Sequence, residues 1–113
     1  MNLVTKAVSG HFSVTAQVSV GDVPNIAAAG FKTLINNRPD GEGGPSQPKS
    51  AELEKVCTAL GLRYVYLPVV SGAITPAQVN AMRDALAAAL TPVLAFCRSG
   101  ARSSTLFSMS QGI

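Results

Sequence analysis

Seven consecutive residues carry the clearest chemical pattern in this chain of 113 residues. A cysteine reacts as its thiolate, which nearby positive charge and a helix N-terminus both favour. Successive backbone N–H groups around a glycine-containing turn form a concave site for an anion. The pattern therefore predicts a cysteine nucleophile in an anion-binding loop. The seven residues are Cys97, Arg98, Ser99, Gly100, Ala101, Arg102 and Ser103.

Each position of this loop has an expected role. Cys97 attacks the substrate and carries a covalent intermediate. Arg102 stabilises developing negative charge with its fork of N–H donors, and the Ser103 hydroxyl bonds the sulfur or a bound oxygen. The backbone N–H groups between them hold the substrate's oxygens. The expected substrate-binding residues of the loop are therefore Arg98, Ser99, Gly100 and Ala101.

The alternative for Cys97 is a buried structural cysteine, since cysteine is among the most buried residue types. The two arginines, the glycine and the strand-loop-helix setting favour the nucleophile instead. Cys57 is the opposite case, because it continues an apolar helical face with no charged neighbour there. We expect Cys57 in the core, with a resolving thiol as the lesser alternative.

Strand-like and helix-like segments alternate along the chain. Apolar patterns predict strands at 11–18, 31–36, 63–70 and 92–96. Helical patterns cover 22–29, 50–60 and 76–90, and a last helix is expected from Ser103 to Gly112. This alternation predicts one three-layer α/β domain over residues 1–113. Its mainly parallel sheet has four to five strands with helices on both faces, and Cys97 follows a strand where ligands bind.

The same patterns predict which side chains are buried. On the first strand we expect Phe12, Val14, Ala16 and Val18 to share one face. The strand at 63–70 is expected to be buried throughout, because it is a continuous apolar run. On the two longer helices the expected buried residues are Leu53, Val56, Cys57 and Leu60, then Val79, Met82, Leu86 and Leu90.

Composition narrows the class of protein. Hydrophobic residues make up 47% and charged residues 13%, which indicates a globular chain. The net charge of +3 comes without a Lys/Arg run, so we expect no nucleic-acid partner. No signal peptide or membrane span is visible, and two cysteines make no disulfide framework, so a cytoplasmic location is expected. One histidine and two separated cysteines supply no metal site, and no cofactor is expected.

The Cys97 loop resembles two known groups of proteins. Protein tyrosine and dual-specificity phosphatases carry His-Cys, five variable residues, then Arg and Ser or Thr. Rhodaneses, which transfer sulfane sulfur, carry Cys-Arg-x-Gly-x-Arg or Thr. Residues 97–102 match the rhodanese pattern at every position, and Ser103 after Arg102 matches the phosphatase ending.

The wider chain resembles the phosphatase-like domain family of beta-lactamase-hydrolase-like proteins. The similar stretches are Ile35-Asn36-Asn37-Arg38-Pro39-Asp40, Tyr66-Leu67-Pro68-Val69, the helix start at Ile74-Thr75-Pro76 and the Cys97 loop. This resemblance implies a dual-specificity-phosphatase-like fold with a short loop. It implies either phosphatase or sulfurtransferase activity.

Three features depart from the phosphatase pattern. Four residues rather than five separate Cys97 from Arg102, which predicts a smaller ring that suits sulfur better than a phosphoryl group. The segment 70–74, where phosphatases place an aspartic acid that protonates the leaving group, has no carboxylate. Phe96 stands where the phosphatases have histidine.

The long loop at 37–48 offers substitutes for the missing acid, and long loops are often functional. Asp40 is the expected catalytic carboxylate, with Glu42 as its neighbour in the same role. The alternative for Asp40 is a plain Pro-Asp-Gly turn. Arg38 is expected either to bind substrate as a second anion clamp or to be solvated. His11 is expected to be an ordinary strand residue.

Three functions remain open from the sequence. The leading one is phosphomonoester hydrolysis through a cysteinyl-phosphate on Cys97. The alternative is rhodanese-type sulfur transfer through a Cys97 persulfide. The third is a non-catalytic anion-binding or regulatory domain. The expected partner is a small anion, either a phosphate ester or a sulfane-sulfur donor, with no nucleic acid and no membrane, and the oligomeric state stays open.

Overall fold

The computed structural model describes residues 3–112, which form one five-stranded sheet covered by helices. The strands are β1 (Thr5–Ala7), β2 (Phe12–Thr15), β3 (Thr33–Asn36), β4 (Arg63–Tyr66) and β5 (Val93–Phe96). The helices are α1 (Val23–Ala28), α2 (Ser50–Ala59), α3 (Pro76–Ala88) and α4 (Ala101–Ser110), and a 3₁₀ turn at Val20–Asp22 precedes α1.

The sheet is mixed, with strand order β1-β2-β5-β3-β4. Four strands are parallel, and β1 alone pairs antiparallel, with β2. The predicted mainly parallel α/β domain is confirmed. The short strand β1 was not predicted, because all three of its residues are exposed and give no apolar signal. In the parallel register Phe96 lies level with Thr15 and Asn36, so three strands end at one edge.

The helices cover both faces of the sheet, as predicted. Along the central strand β5, Val93 and Ala95 pack with residues of α3 and α4. Leu94 and Phe96 pack on the other face, against α1 and α2. All four side chains are fully buried, which is expected for a parallel strand with neighbours on both sides and helices above and below.

The first predicted strand is too long. β2 ends at Thr15, and the chain then turns away, with the N–H of Gln17 donating to the carbonyl of Arg98 at 3.4 Å. Ala16 is therefore exposed, and Val18 packs in the core on the opposite face from Phe12 and Val14. The prediction that these four residues share one face was wrong, because the period of two stops with the strand.

The predicted buried strand at 63–70 is an edge strand. β4 pairs only with β3 and ends at Tyr66, and Val70 is 57% exposed. Leu67 and Val69 are buried nonetheless. Their N–H groups donate to the carbonyls of Asn36 and Asn37, which ties this segment to the end of β3.

The helices end earlier than their apolar patterns suggested. Leu53, Cys57 and Met82 are buried as predicted, and Val56, Val79 and Leu86 are partly buried. Leu60 and Leu90 lie just past the ends of α2 and α3 and are 45% and 50% exposed, so their predicted burial was wrong.

The start of α3 was predicted correctly, and that of α4 was not. The predicted capping box forms at α3, where the N–H of Gln78 donates to Thr75 Oγ1 at 3.2 Å and the N–H of Thr75 donates to Gln78 Oε1 at 2.9 Å. Helix α4 begins at Ala101, two residues before the predicted start, which puts Arg102 in its first turn. Over residues 3–112, no helix has the length and apolar character that crossing a bilayer requires.

Candidate active site

Cys97 directly follows β5 at the edge where the parallel strands end, and only three residues separate it from α4. Gly100 makes this short connection possible. It has φ 95° at the N-cap of α4, in the left-handed region that favours glycine. A Cβ there would also lie 3.3 Å from the carbonyl oxygen of Thr15. The loop therefore needs glycine both for its turn and for its approach to β2.

The Cys97 sulfur is surrounded by hydrogen-bond donors. The side chain is 1% exposed, and the N–H of Gly100 donates to Sγ at 3.0 Å. Burial acts to raise the pKa of Cys97, but hydrogen bonds from the backbone and hydroxyl of Ser103 and from the backbones of Ser99 and Gly100 lower that pKa below its ordinary value. The start of α4 and one hydroxyl thus favour the thiolate.

Ser103 lies beneath the loop rather than in the cavity. It is fully buried, and its hydroxyl donates to Asn37 Oδ1 at 2.8 Å. Asn37 comes directly after β3, and its Nδ2 donates to the carbonyl of Leu67 at 3.0 Å. Reasoning from the sequence assigned no role to Asn37. The sequence feature that could have identified it is its position: Asn37 directly follows β3, which ends at the same edge of the sheet as the strand before Cys97.

Arg102 is held by acceptors on two sides. Its Nη1 donates to Glu42 Oε2 at 3.0 Å and to the carbonyl of Val69 at 2.8 Å, and its Nη2 donates to Glu42 Oε1 at 2.9 Å. A guanidinium has five N–H donors in a fixed plane, so three are occupied. Within residues 3–112 the buried Nε has no hydrogen-bond partner. Nε–H and the second N–H of Nη2 point the same way, which leaves one edge of Arg102 able to bind an anion bidentately.

Glu42 lies between two arginines. Besides Arg102, it accepts a hydrogen bond from Arg38 Nε at 2.9 Å. The hydrogen bond from Arg102 is the main reason that the pKa of Glu42 is lowered; burial opposes it, and Arg38 adds to it. Glu42 in turn raises the pKa of Arg102. A carboxylate held in this way is ionised near neutral pH and has no proton to donate to a leaving group.

The loop that carries Glu42 is held in place by its own hydrogen bonds and by close contacts with Arg38. Gln47 accepts a hydrogen bond from the N–H of Gly43 at 2.6 Å and donates to the carbonyl of Pro39 at 2.9 Å. A Cβ on Gly43 would lie 2.7 Å from Arg38 Nη2. Arg38 also donates to Gln17 Oε1 at 3.0 Å. These contacts fix the position from which Glu42 reaches α4.

Asp40 lies elsewhere. Its Oδ1 accepts a hydrogen bond from the N–H of Ser50 at 2.8 Å, at the start of α2, and its own N–H donates to the Tyr66 hydroxyl at 2.9 Å. It does not line the cavity that Cys97 lines. The expectation of a catalytic Asp40 is therefore corrected, because its carboxylate already caps a helix start and supports the turn. His11 lies at the other end of β2.

The cavity has a volume of about 1100 Å³ and brings most of the predicted residues together. Of the candidate residues named from the sequence, those that line the cavity are Cys97, Arg98, Ser99, Ala101, Arg102, Arg38 and Glu42. The facing wall, from the segment after β4, is formed by Val70, Ser71, Gly72 and Ile74. This wall contributes no carboxylate. Arg98 is exposed, and within residues 3–112 it forms no ion pair.

A metal site does not emerge from the part of the chain that the structure describes. No three His, Cys, Asp or Glu side chains there lie close enough together to hold an ion. Cys57 is buried on the α1–α2 face of the sheet, and burial, with a smaller effect of Glu54, raises its pKa to about 11. The two thiols thus differ in the direction of their pKa shifts.

Comparison with known proteins identifies the family of this chain. The model of the phosphatase-like domain of beta-lactamase hydrolase-like protein matches residues 4–113. The chain belongs to this family. The beta-lactamase hydrolase-like protein of Agrobacterium fabrum is 34% identical over 106 residues, which cover 94% of this chain but 24% of that protein. The domain therefore spans about a quarter of the length of its curated relatives.

Solved structures of phosphatases share the fold. A candidate phosphatase from Neisseria meningitidis superposes with a TM-score of 0.83 and is 34% identical, covering 91% of this chain and 72% of that one. The catalytic core of the PP-IP phosphatase Siw14 from S. cerevisiae gives a TM-score of 0.70 at 12% identity, covering 92% and 62%. At that identity the likeness concerns the fold alone. The family's phosphatase-like architecture, predicted from the resemblance, is confirmed.

Proposed function

We propose that this domain hydrolyses phosphate monoesters through a covalent intermediate on Cys97. The observation that carries the proposal is the free edge of Arg102, whose buried Nε has no partner within residues 3–112. Arg102 lines the same cavity as Cys97. A buried N–H donor without a partner is costly, and a phosphate oxygen would satisfy it. Family membership and the Neisseria relative support the same class of reaction.

The reaction has two displacement steps. The Cys97 thiolate attacks phosphorus, the S–P bond forms, and the ester oxygen leaves with its electron pair. Water then attacks phosphorus, the S–P bond breaks, and phosphate leaves while the thiolate is restored. In both steps the backbone N–H groups at 98–102 and the free edge of Arg102 stabilise the charge on the phosphoryl oxygens.

The leaving oxygen receives no proton from this cavity. Glu42 is ionised and bonded to two arginines, and the facing wall of residues 70–74 has no carboxylate. General acid catalysis is worth about a hundred- to ten-thousand-fold in rate. We therefore expect aryl phosphates, whose leaving groups are stable anions, to react far faster than alkyl phosphates.

Sulfur transfer is the second candidate, and the short loop favours it. Only four residues separate Cys97 from Arg102, and α4 starts directly after Gly100. In this reaction the Cys97 thiolate attacks the sulfane sulfur of thiosulfate and sulfite leaves. The resulting persulfide then passes its outer sulfur to a thiol or to cyanide. No leaving oxygen needs a proton, which fits the missing acid.

One pair of assays separates these functions. Wild type, Cys97→Ser and Cys57→Ser are incubated with an activated aryl phosphate and, separately, with thiosulfate and cyanide. We expect phosphate release from wild type and Cys57→Ser but not from Cys97→Ser. If thiocyanate is the sole product, the phosphatase proposal is wrong and the domain is a sulfurtransferase. Phosphate release that survives in Cys97→Ser would refute the cysteinyl-phosphate mechanism, and no turnover with either substrate would favour an anion-binding module.

A further inference from the structure

The cavity beside Cys97 is larger than one phosphoryl group requires. Its volume of about 1100 Å³ is comparable with the roughly 300–1,000 Å³ of pockets that enclose a drug-sized ligand. The sulfur of Cys97 and the free edge of Arg102 account only for the group that reacts. A further part of the substrate can occupy the remaining space, so the residues around that space determine which substituents the site accepts.

Four charged side chains line this cavity: Arg38, Glu42, Arg98 and Arg102. Glu42 accepts hydrogen bonds from both Arg38 and Arg102, so these two arginines share its one negative charge. Arg38 also donates to Gln17. Arg98 is different, because it is exposed and forms no ion pair within residues 3–112. The cavity therefore has an excess of positive charge, and no carboxylate is paired with Arg98.

Arg98 is placed close to the reacting atoms by its position in the chain. It directly follows Cys97, so the Cα atoms of the two residues are about 3.8 Å apart. Its carbonyl accepts a hydrogen bond from the N–H of Gln17 at 3.4 Å, which ties its backbone to the segment after β2. A guanidinium binds a carboxylate or a phosphate through two parallel N–H donors. An anionic group attached near the reacting phosphorus is thus within reach of this side chain.

The wall that faces the Cys97 loop is uncharged. It is formed by residues 70–74, of which Val70 is 57% exposed and Ile74 is partly buried. This wall can contact an apolar part of a substrate. Among residues 3–112, Glu42 is the one Asp or Glu that lines the cavity, and its charge is already opposed by two arginines. The surroundings of Arg98 therefore favour a second negative charge.

We propose that the guanidinium of Arg98 binds a second oxyanion of the substrate, a carboxylate or a second phosphate, while Arg102 binds the group that reacts. Arg98 is then a specificity-determining residue, and the preferred substrates are phosphate monoesters with another negative charge close to the ester. The proposal rests on the proposed function only in placing a phosphoryl group at Cys97 and Arg102. No covalent step is added, because the second group is held by hydrogen bonds.

The test measures how well non-hydrolysable anions protect Cys97 from alkylation by iodoacetamide, followed at the Cys97 peptide by mass spectrometry. The probes are phenylphosphonates with a carboxylate, a sulfonate or a neutral carboxamide at the para position, the sulfonate being tetrahedral like phosphate. We expect the two charged probes to protect wild type at concentrations about two- to fivefold lower than the carboxamide, the range for one exposed ion pair. The more effective of the two identifies the class of the second group.

Three variants locate the origin of this preference. Arg98→Gln should reduce the ratio between charged and neutral probes to about one. Arg63→Gln is the matched control, because Arg63 is also exposed but begins β4 and lines a different cavity. Lys6→Gln removes an exposed cation of β1, which lines a cavity on the other side of the Cys97 loop. Both controls should retain the ratio of wild type, whereas damage to the loop would weaken all probes alike.

The proposal is wrong if wild type does not prefer the charged probes, if Arg98→Gln retains the preference, or if either control variant loses it to the same extent. Absence of protection by every probe would overturn it as well. Alkylation requires no turnover. Protection by the charged probes in a wild type that hydrolyses no phosphate ester would therefore refute the proposed function and leave this role of Arg98 standing.

Discussion

The roles of Glu42 and Arg102 in the cavity follow from their hydrogen-bond partners and not from their charge alone. Glu42 occupies the end of the Arg102 guanidinium, and the carbonyl of Val69 takes one further N–H. The remaining edge is left with two adjacent donors, which is the arrangement that a tetrahedral anion accepts. Glu42 thus orients Arg102 and does not supply a proton.

Glu42→Gln distinguishes these two roles. Loss of the charge weakens the hold on Arg102, so we expect kcat/KM to fall about tenfold, by the worth of one charge-assisted hydrogen bond. The fall should be equal for aryl and alkyl phosphates. The measurement is kcat/KM over a series of esters with different leaving-group pKa. A loss that grows as the leaving group worsens would identify Glu42 as a general acid instead.

The local pattern predicted the residues of the Cys97 loop, and the long loop at 37–48 was expected to contribute Arg38 and a carboxylate, but Asn37 was missed. Cys97, Arg102 and Ser103 are adjacent in sequence, so their proximity could be inferred. Asn37 and Glu42 precede Cys97 by more than fifty residues, and α2, β4 and α3 lie between them in the chain. Asp40 and Glu42 are two residues apart, and nothing in their spacing tells which of them faces the cavity.

At the scale of elements, the site depends on how β5 passes into α4. The helix begins at Ala101 because Gly100 turns the chain in the left-handed region, next to the carbonyl of Thr15. That turn lets the N–H of Gly100 donate to the sulfur at 3.0 Å, and the backbone N–H of Ser103, in the first turn of α4, also lowers the pKa of the thiol. The starting residue of α4 could not be predicted, since residues 99–101 carry no apolar periodicity.

Gly100→Ala tests this junction against a matched glycine. Gly30 has nearly the same φ, 97°, but a Cβ at Gly30 would have no neighbouring atom within 4 Å, whereas a Cβ at Gly100 meets Thr15. Both alanine variants should lose about 1–2 kcal/mol of unfolding free energy from the left-handed backbone. We expect Gly100→Ala to lose more and also to slow Cys97 alkylation, which Gly30→Ala leaves unchanged. Equal effects in the two variants, by urea unfolding and alkylation, would contradict this role of the loop glycine.

At the scale of the whole molecule, alternation of strand and helix predicted the layers well. The alternation did not predict β1 or the exposure of β4, and both failures have a physical reason. β1 is exposed and has no apolar pattern, and β4 is half-exposed because it lies at an edge, a position that the pattern of a single segment does not reveal. Strand order depends on pairings between distant segments, so β5 could not be identified as the centre from its own residues.

One ion-pair cluster links distant parts of the fold and should affect acid stability. Glu42 joins the loop after β3 to α4, and its pKa in the folded state lies below the ordinary value of 4.5. A lowered folded pKa stabilises the fold above the unfolded pKa, and this contribution disappears as pH falls through the folded value. Between pH 7 and 3, the Tm of wild type should converge on that of Glu42→Gln below about pH 4.5. A constant Tm difference across this range would contradict the assignment.

The central claim is that Cys97 carries the phosphoryl group, and trapping the intermediate tests it most directly. The protein is quenched in acid during turnover of an activated aryl phosphate, and the intact mass and the Cys97 peptide are measured. We predict one phosphoryl group on Cys97 in wild type and in Cys57→Ser, and none in Cys97→Ser. Steady phosphate release with no adduct on Cys97, or an adduct on another residue, would contradict this mechanism.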